Sequence, residues 1–369
     1  MIMKIRTSNI QPRFSAQRGY AMLGIIAVLG VAATTVVVTS LSATAVHNEQ
    51  NRKTSSALAL AKQALIANAA SSSTRPGSLP CPDTDNDGLA DPAAGACTNL
   101  IGRLPWQTLG LPDLRDSSGE RLWYALSQQF SDTNAINSTT VGELNITGTL
   151  TAASTAAIVF AAGAPVNGQL RNAERLFTPS QYIESYTGPT TFVTSDAGSS
   201  YNDQLMVITA TDIFAVVDRR IAKELQNSLQ AYSAATTGRL PWYSTSCTAG
   251  VCPTVFPQPS PPKTGAAIWP VAGPGYLPTD DTTLNAALPA WFVANQWNSV
   301  VSYRVDSNCV AGISPCGAAF TGYSAGSGGA TIGFTGGTAN TDTKAVLSIA
   351  GANPLATGYQ TTVLNAAVQ

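Results

Sequence analysis

The chain has 369 residues, 11% of them charged and 44% hydrophobic, with a formal net charge of −1 at pH 7. A charged share less than half the ~25% of ordinary soluble domains leaves the surface to Ala, Gly, Ser and Thr, a composition suited to the outside of the cytoplasm. Near-neutrality argues against binding nucleic acid or anionic lipid, which calls for a basic face, and the length allows one large domain or two medium ones.

Residues 1–18 contain Lys4, Arg6, Arg13 and Arg18 and no acid. Residues 20–46 are then uncharged; as a helix they would span about 40 Å, more than the roughly 30 Å of a hydrocarbon core. The basic flank predicts that residues 1–18 stay in the cytoplasm and the bulk lies outside. A cleaved secretory signal would have an apolar region of only about 7–15 residues. Here the sequence continues without Pro or Gly after Gly30 into residues 46–70, where Leu58, Ala61, Leu65 and Ala69 recur at helical spacing. The expectation is a membrane-spanning helix running on into an amphipathic one, with His47 at the interface between them.

The run Gln17-Arg18-Gly19-Tyr20-Ala21-Met22-Leu23 resembles the prepilin cleavage motif of the type IV pilin-like and type II secretion pseudopilin family. The resemblance implies cleavage after Gly19 by prepilin peptidase and N-methylation of Tyr20. A glycine at the cut lets a peptidase approach the backbone closely. The family usually has Glu five residues into the mature chain, where Gly24 stands here. That Glu is thought to pair with the N-terminal amine of a neighbouring subunit inside an apolar core, where a charge needs a partner. Tip pseudopilins of the family lack it, so Gly24 hints at a tip or initiator position.

After the first helix comes Asp83-Thr84-Asp85-Asn86-Asp87-Gly88-Leu89-Ala90-Asp91. Carboxylates at alternate positions followed by Gly match the start of a calcium loop. The expected donors to a Ca2+ ion are the carboxylates of Asp83, Asp85, Asp87 and Asp91 and the carbonyl of Leu89. Ala94 stands where an EF-hand would place Glu, so the expectation is a shorter site or a solvated acidic turn. Cys81 and Cys97 flank the loop. The six cysteines fall into three close pairs, Cys81 with Cys97, Cys247 with Cys252 and Cys309 with Cys316. One histidine and no C-x-x-C spacing argue against zinc and for disulfides.

The pentapeptide Gly102-Arg103-Leu104-Pro105-Trp106 recurs at Gly238-Arg239-Leu240-Pro241-Trp242. In both surroundings a helical segment precedes it and apolar runs follow, Trp123-Tyr124-Ala125 and residues 156–160 in the first, Val300-Val301-Ser302-Tyr303 and residues 345–349 in the second. Such self-similarity predicts two tandem modules. The second helix is expected over residues 212–235, with Asp212 as N-cap and Phe214, Val217, Ile221, Leu225 and Leu229 as its buried stripe. Residues 192–194 and 205–209 read as strands. Residues 246–275 read as a long surface loop, and residues 317–341 as a glycine-rich loop or irregular edge.

Other motifs point less far. Gly322-Tyr323-Ser324-Ala325-Gly326 matches a nucleophile elbow in form only, because no His follows it. Asp113, Arg115, Asp116 and Glu120 read as a turn with surface ion pairs.

The predicted fold class is α+β. A long N-terminal membrane-spanning helix leads into two tandem pilin-like modules, each a helix on a small antiparallel sheet. The expected segments are a leader at 1–19, the membrane or filament-core helix at 20–46, and modules at 47–205 and 206–369. The resemblance implies a minor pilin or pseudopilin, a non-enzymatic assembly subunit of a type IV pilus or type II secretion system. Its partners would be other pilin or pseudopilin subunits, the inner membrane and prepilin peptidase. Its place would be the bacterial inner membrane, single-pass with the bulk periplasmic, or an extracellular or periplasmic filament. The alternatives are a filament-tip adhesin and a bitopic envelope protein that does not polymerise.

Overall fold

In a computed structural model the described residues are 18–166, 168–236, 240–241, 244, 247, 251–253, 276–305, 345–349 and 362–364, with side chains described from Thr44 as far as Val301 and at Tyr303. The helices are α1 (Arg18–Ser71), α2 (Ala210–Ala235), α3 (Thr282–Ala287) and α4 (Ala290–Ala294). The strands are β1 (Ile101–Arg103), β2 (Trp123–Leu126), β3 (Leu144–Gly148), β4 (Ala152–Thr155), β5 (Ala157–Ala161), β6 (Thr191–Thr194), β7 (Gln204–Ile208), β8 (Val301–Val305), β9 (Ala345–Ile349) and β10 (Thr362–Leu364).

Two compact units divide the chain, Met1–Lys53 and Thr54–Gln369. In the first, the described side chains of α1 are exposed, and Glu49 accepts a hydrogen bond from Arg52 at 2.6 Å, one turn away. In the second, α1 buries Ala57, Leu58, Ala61, Leu65 and Ala69, the face its periodicity predicts. Small Ala at three of these five places lets the helix approach its sheet closely. The helix ends where Gly77 turns back at φ +107°, its N–H on the Ala69 carbonyl at 2.9 Å. A Cβ there would lie 2.8 Å from the Ile136 side chain, so the turn needs glycine. Arg220 of α2 donates to the carbonyls of Ala70 at 2.7 Å and Ser72 at 2.6 Å, serving acceptors that a helix end leaves open.

The residue that caps α2 is Thr209, and Asp212 stands three positions on. The Thr209 hydroxyl accepts from the Asp212 amide while the Asp212 carboxylate accepts from the Thr209 amide. This capping box satisfies two helix-start donors at once and corrects the expectation that Asp212 is the cap. The predicted stripe is buried, and Lys62 of α1 bridges to Asp212 at 3.0 Å.

The central sheet has the order β1-β2-β5-β7, every neighbour antiparallel. Both faces are covered, so β2 and β5 are apolar at every position rather than at every second one. A second sheet, β4-β3-β6, pairs β3 with β4 antiparallel and β3 with β6 parallel. The third, β10-β9-β8, is antiparallel.

The chain is α+β, but the expected membrane-spanning helix is corrected. No helix, among the described residues, is long and apolar enough to cross a membrane. The side chains of 20–43 lie outside those residues, and the described part of α1 carries Glu49, Arg52, Lys53 and Lys62, too many charges for a hydrocarbon interior. The surroundings of the two pentapeptides also meet in one interior. Leu58 and Leu65 of α1 share one apolar core with Phe214 and Leu225 of α2 and with Trp291, Phe292, Trp297 and Tyr303 from beyond the second pentapeptide. The Phe214 ring sits 6.1 Å from Phe130 and 6.1 Å from Trp297, touching both sequence halves.

Asn295, only 1% exposed, joins distant stretches. Its Nδ2 donates to the carbonyls of Thr74 at 3.0 Å and Trp291 at 2.8 Å, and its Oδ1 accepts from the Ile136 amide at 3.3 Å. Its own carbonyl accepts from Asn137 at 3.1 Å.

Candidate functional site

The acidic loop is held at both ends. Cys81 and Cys97 form a disulfide with Cα atoms 5.3 Å apart. Asp83 is fully buried and exchanges backbone hydrogen bonds with Arg103, its amide on the Arg103 carbonyl at 3.0 Å and its carbonyl on the Arg103 amide at 2.8 Å. This crossing explains the glycine opening the pentapeptide: a Cβ on Gly102 would lie 2.5 Å from the Asp83 carbonyl oxygen.

The loop is built from its own carboxylates. Asp83 accepts the amides of Asp85 at 3.2 Å, Asn86 at 2.6 Å and Gly88 at 2.8 Å. Burial pushes its carboxyl above the usual range, against the opposing pull of those amides. Asp85 accepts the Asp87 amide at 3.1 Å, Asp87 the Leu89 amide at 2.7 Å, and Asp91 the amide and hydroxyl of Thr84 at 2.7 and 2.8 Å. Of the expected ligands, one carboxylate oxygen each from Asp83, Asp85 and Asp91 gather within 4.8 Å of one another. The Asp87 carboxylate stands outside that group. Three hard oxygens suit Ca2+ rather than zinc, the neighbouring sulfurs being tied up in the disulfide.

A second polar cluster lies with Trp123 and Tyr182, on the face of the central sheet away from the α1 and α2 core. The Arg103 guanidinium, 2% exposed as a residue, lies 4.3 Å from the Trp123 ring centre and 4.4 Å from that of Tyr182. Arg171 lies 5.0 Å from the Tyr182 ring centre. Glu120 faces both cations, 3.7 Å from Arg103 and 3.8 Å from Arg171. Burial pulls the Arg103 guanidinium below its ordinary value and the Glu120 charge opposes this.

Arg171 fastens a long loop. It donates to the carbonyls of Gly163 at 2.6 Å, Ala162 at 3.1 Å and Gln181 at 3.2 Å, and to the Gln169 side chain at 2.6 Å. Glu184 stands 4.0 Å away and accepts from the Gln169 side chain and from the Asn202 amide at 3.0 Å. Beside it Asp203 is buried and accepts the amide and hydroxyl of Ser185, both at 2.8 Å. Burial first, and the Glu184 charge second, push the Asp203 carboxyl to about 8.

The expected surface turn divides in two. Asp113 does pair with Arg115 at 2.6 Å and with Arg121 at 2.9 Å. Asp116 is buried instead, taking the amides of Ser118 at 2.8 Å, Glu120 at 3.0 Å and Gly163 at 2.8 Å. Sequence reasoning missed Arg171, Glu184 and Asp203, which have no local pattern; the repeated pentapeptide was a visible signal only for Arg103.

Gly19 and Tyr20 fall in the first turn of α1, and their side chains lie outside the described residues. His47 is exposed on the same helix. Cys247 and Cys252 are joined, and the Asn298 side-chain amide donates to the Cys252 sulfur at 3.0 Å. Cys309, Cys316 and residues 322–326 lie outside the described residues. Compared with protein-family models, with curated proteins and with solved structures, the chain gives no match.

Proposed function

We propose that this chain is a minor pilin or pseudopilin, a non-enzymatic assembly subunit of the bacterial cell envelope that joins its neighbours through the N-terminal part of α1. One observation carries the reading. Within Thr54–Gln369 the last turns of the 54-residue helix α1 bury Ala57, Leu58, Ala61, Leu65 and Ala69 in the apolar core. A helix of which the folded unit buries only the last turns leaves its uncharged N-terminal sequence, residues 20–46, as a natural element for joining subunits. The basic leader ending at Gly19 supports it, and Gly24 in place of a carboxylate supports a tip or initiator position. The disulfides Cys81–Cys97 and Cys247–Cys252 support a place outside the cytoplasm for Thr54–Gln369.

Mass spectrometry of the native protein tests this. The expected product begins at a methylated Tyr20; a polypeptide that keeps its basic leader overturns the reading. Deletion of the gene is expected to abolish filament assembly, and normal filaments with lost attachment would assign an adhesin instead. The loop of Asp83, Asp85 and Asp91 is proposed to hold Ca2+, which would tie three repelling carboxylates together. Calorimetric titration of the full chain should show binding that Asp85→Asn weakens, and no heat in the unsubstituted chain would remove the ion from the proposal.

A further inference from the structure

The buried carboxyl pair behind the sheet has a geometry that assembly does not use. Asp203 is 7% exposed, and its Oδ1 is buried without a hydrogen-bond donor. Asp203 and Glu184 stand together because residues 184–185 and 202–203 are paired crosswise: Ser185 donates its amide and hydroxyl to Asp203, and Asn202 donates its amide to Glu184. Two carboxyls held side by side in a buried site do not both ionise readily, so the pair favours a single proton. Glu184 accepts from Gln169 and Asn202 and lies 4.0 Å from Arg171, whereas the Oδ1 of Asp203 has no donor and room for a proton of its own. The proton therefore sits on Asp203.

We propose that Asp203 and Glu184 form a one-proton latch, which fastens the segment from Gly163 to Asp203 onto the sheet and loosens as that proton is lost. The surrounding charges fit. Arg103 and Arg171 supply two positive charges, and Glu120 and Glu184 two negative ones. These ion pairs match one another without Asp203, so its ionisation adds an unmatched negative charge at a buried position. Tyr201, the remaining titratable neighbour, stays neutral throughout, its hydroxyl pushed to about 12 by burial and then by Asp203. The latched segment exposes Leu170 at 56% and Phe177 at 46%, so its release changes an apolar surface.

The sign follows from where the proton is held. In the open segment Asp203 is hydrated and titrates near the usual ~4; in the closed one it titrates at about 8. Closing takes up a proton between these values. The latch is at full strength below the open value, weakens about tenfold per pH unit as pH rises, and levels off above the closed value.

Amide hydrogen exchange on the full chain between pH 5 and 8, corrected for intrinsic exchange, reads this directly. The Ser185 and Asn202 amides, which bond to Asp203 and Glu184, should lose protection about tenfold per pH unit. Asp203→Asn, neutral at every pH, should abolish that slope while leaving α2 amides unchanged. A flat profile in the unsubstituted chain, or the same slope in Asp203→Asn, overturns the latch. If Asp203→Asn does not fold, Glu184→Gln decides. Removing the neighbouring charge should move the levelling-off point down by about one pH unit or more, and an unmoved point overturns the proposal.

Discussion

Trp123 and Tyr124 are neighbours on β2, yet they enter chemically different interiors. Tyr124 joins the core of α1 and α2, packed with Leu65, Phe214 and Val217. Trp123 joins the cluster of Phe160, Tyr182 and Phe192 and lies under the Arg103 guanidinium. The helical side is held by area: close-packed apolar side chains, each worth about 1.5–3 kcal/mol on full burial. The far side has fewer apolar residues, and loops there are ordered by ion pairs and by side chains bonded to backbone carbonyls. A core held by area resists whatever the pH, whereas one held by placed charges depends on each partner and on its protonation.

Substitutions on the two sides should therefore fail differently. Phe214→Ala opens a cavity between Phe130 and Trp297 and should cost about 3–5 kcal/mol of global stability, read as a shift of the whole denaturation curve. Arg171→Met strands the carbonyls of Ala162, Gly163 and Gln181 and should cost about 2 kcal/mol, confined to the loop. Limited proteolysis should then cut between residues 163 and 184 while the denaturation midpoint moves little; a global loss as large as that of Phe214→Ala would erase the distinction. Thr209→Ala removes one half of the α2 capping box and should cost about 1 kcal/mol, seen as a small drop in thermal midpoint with no change in loop cleavage.

The same division decides what could be read in advance. The buried face of α1, the stripe of α2 and the runs that became β2, β5 and β7 are visible because apolar spacing is a local property. Asp212 was placed in the right turn but the wrong role, because Thr209, itself a good cap, lay in a run read as strand. In the calcium-like loop, spacing named Asp83, Asp85 and Asp91 correctly as neighbours. It could not show Asp87 turned aside to hold the Leu89 amide. Nothing local marked Asp116 as buried, since the Gly163 amide that satisfies it is far along the chain. The parallel pairing of β3 with β6 and the sharing of one core by both repeats were hidden for the same reason.

Asn295 carries a consequence for how the protein matures. Its side chain ties Thr74 and Ile136 to α4, across sequence separations of 221 and 159 residues. A chain delivered N-terminus first exposes α1 and the central sheet long before this asparagine arrives. Until then Phe214 lacks Trp297 and the turn after α1 lacks its tie. Closure that depends on such distant contacts is slow, so the arrival of Asn295 sets when the protein becomes resistant to proteases.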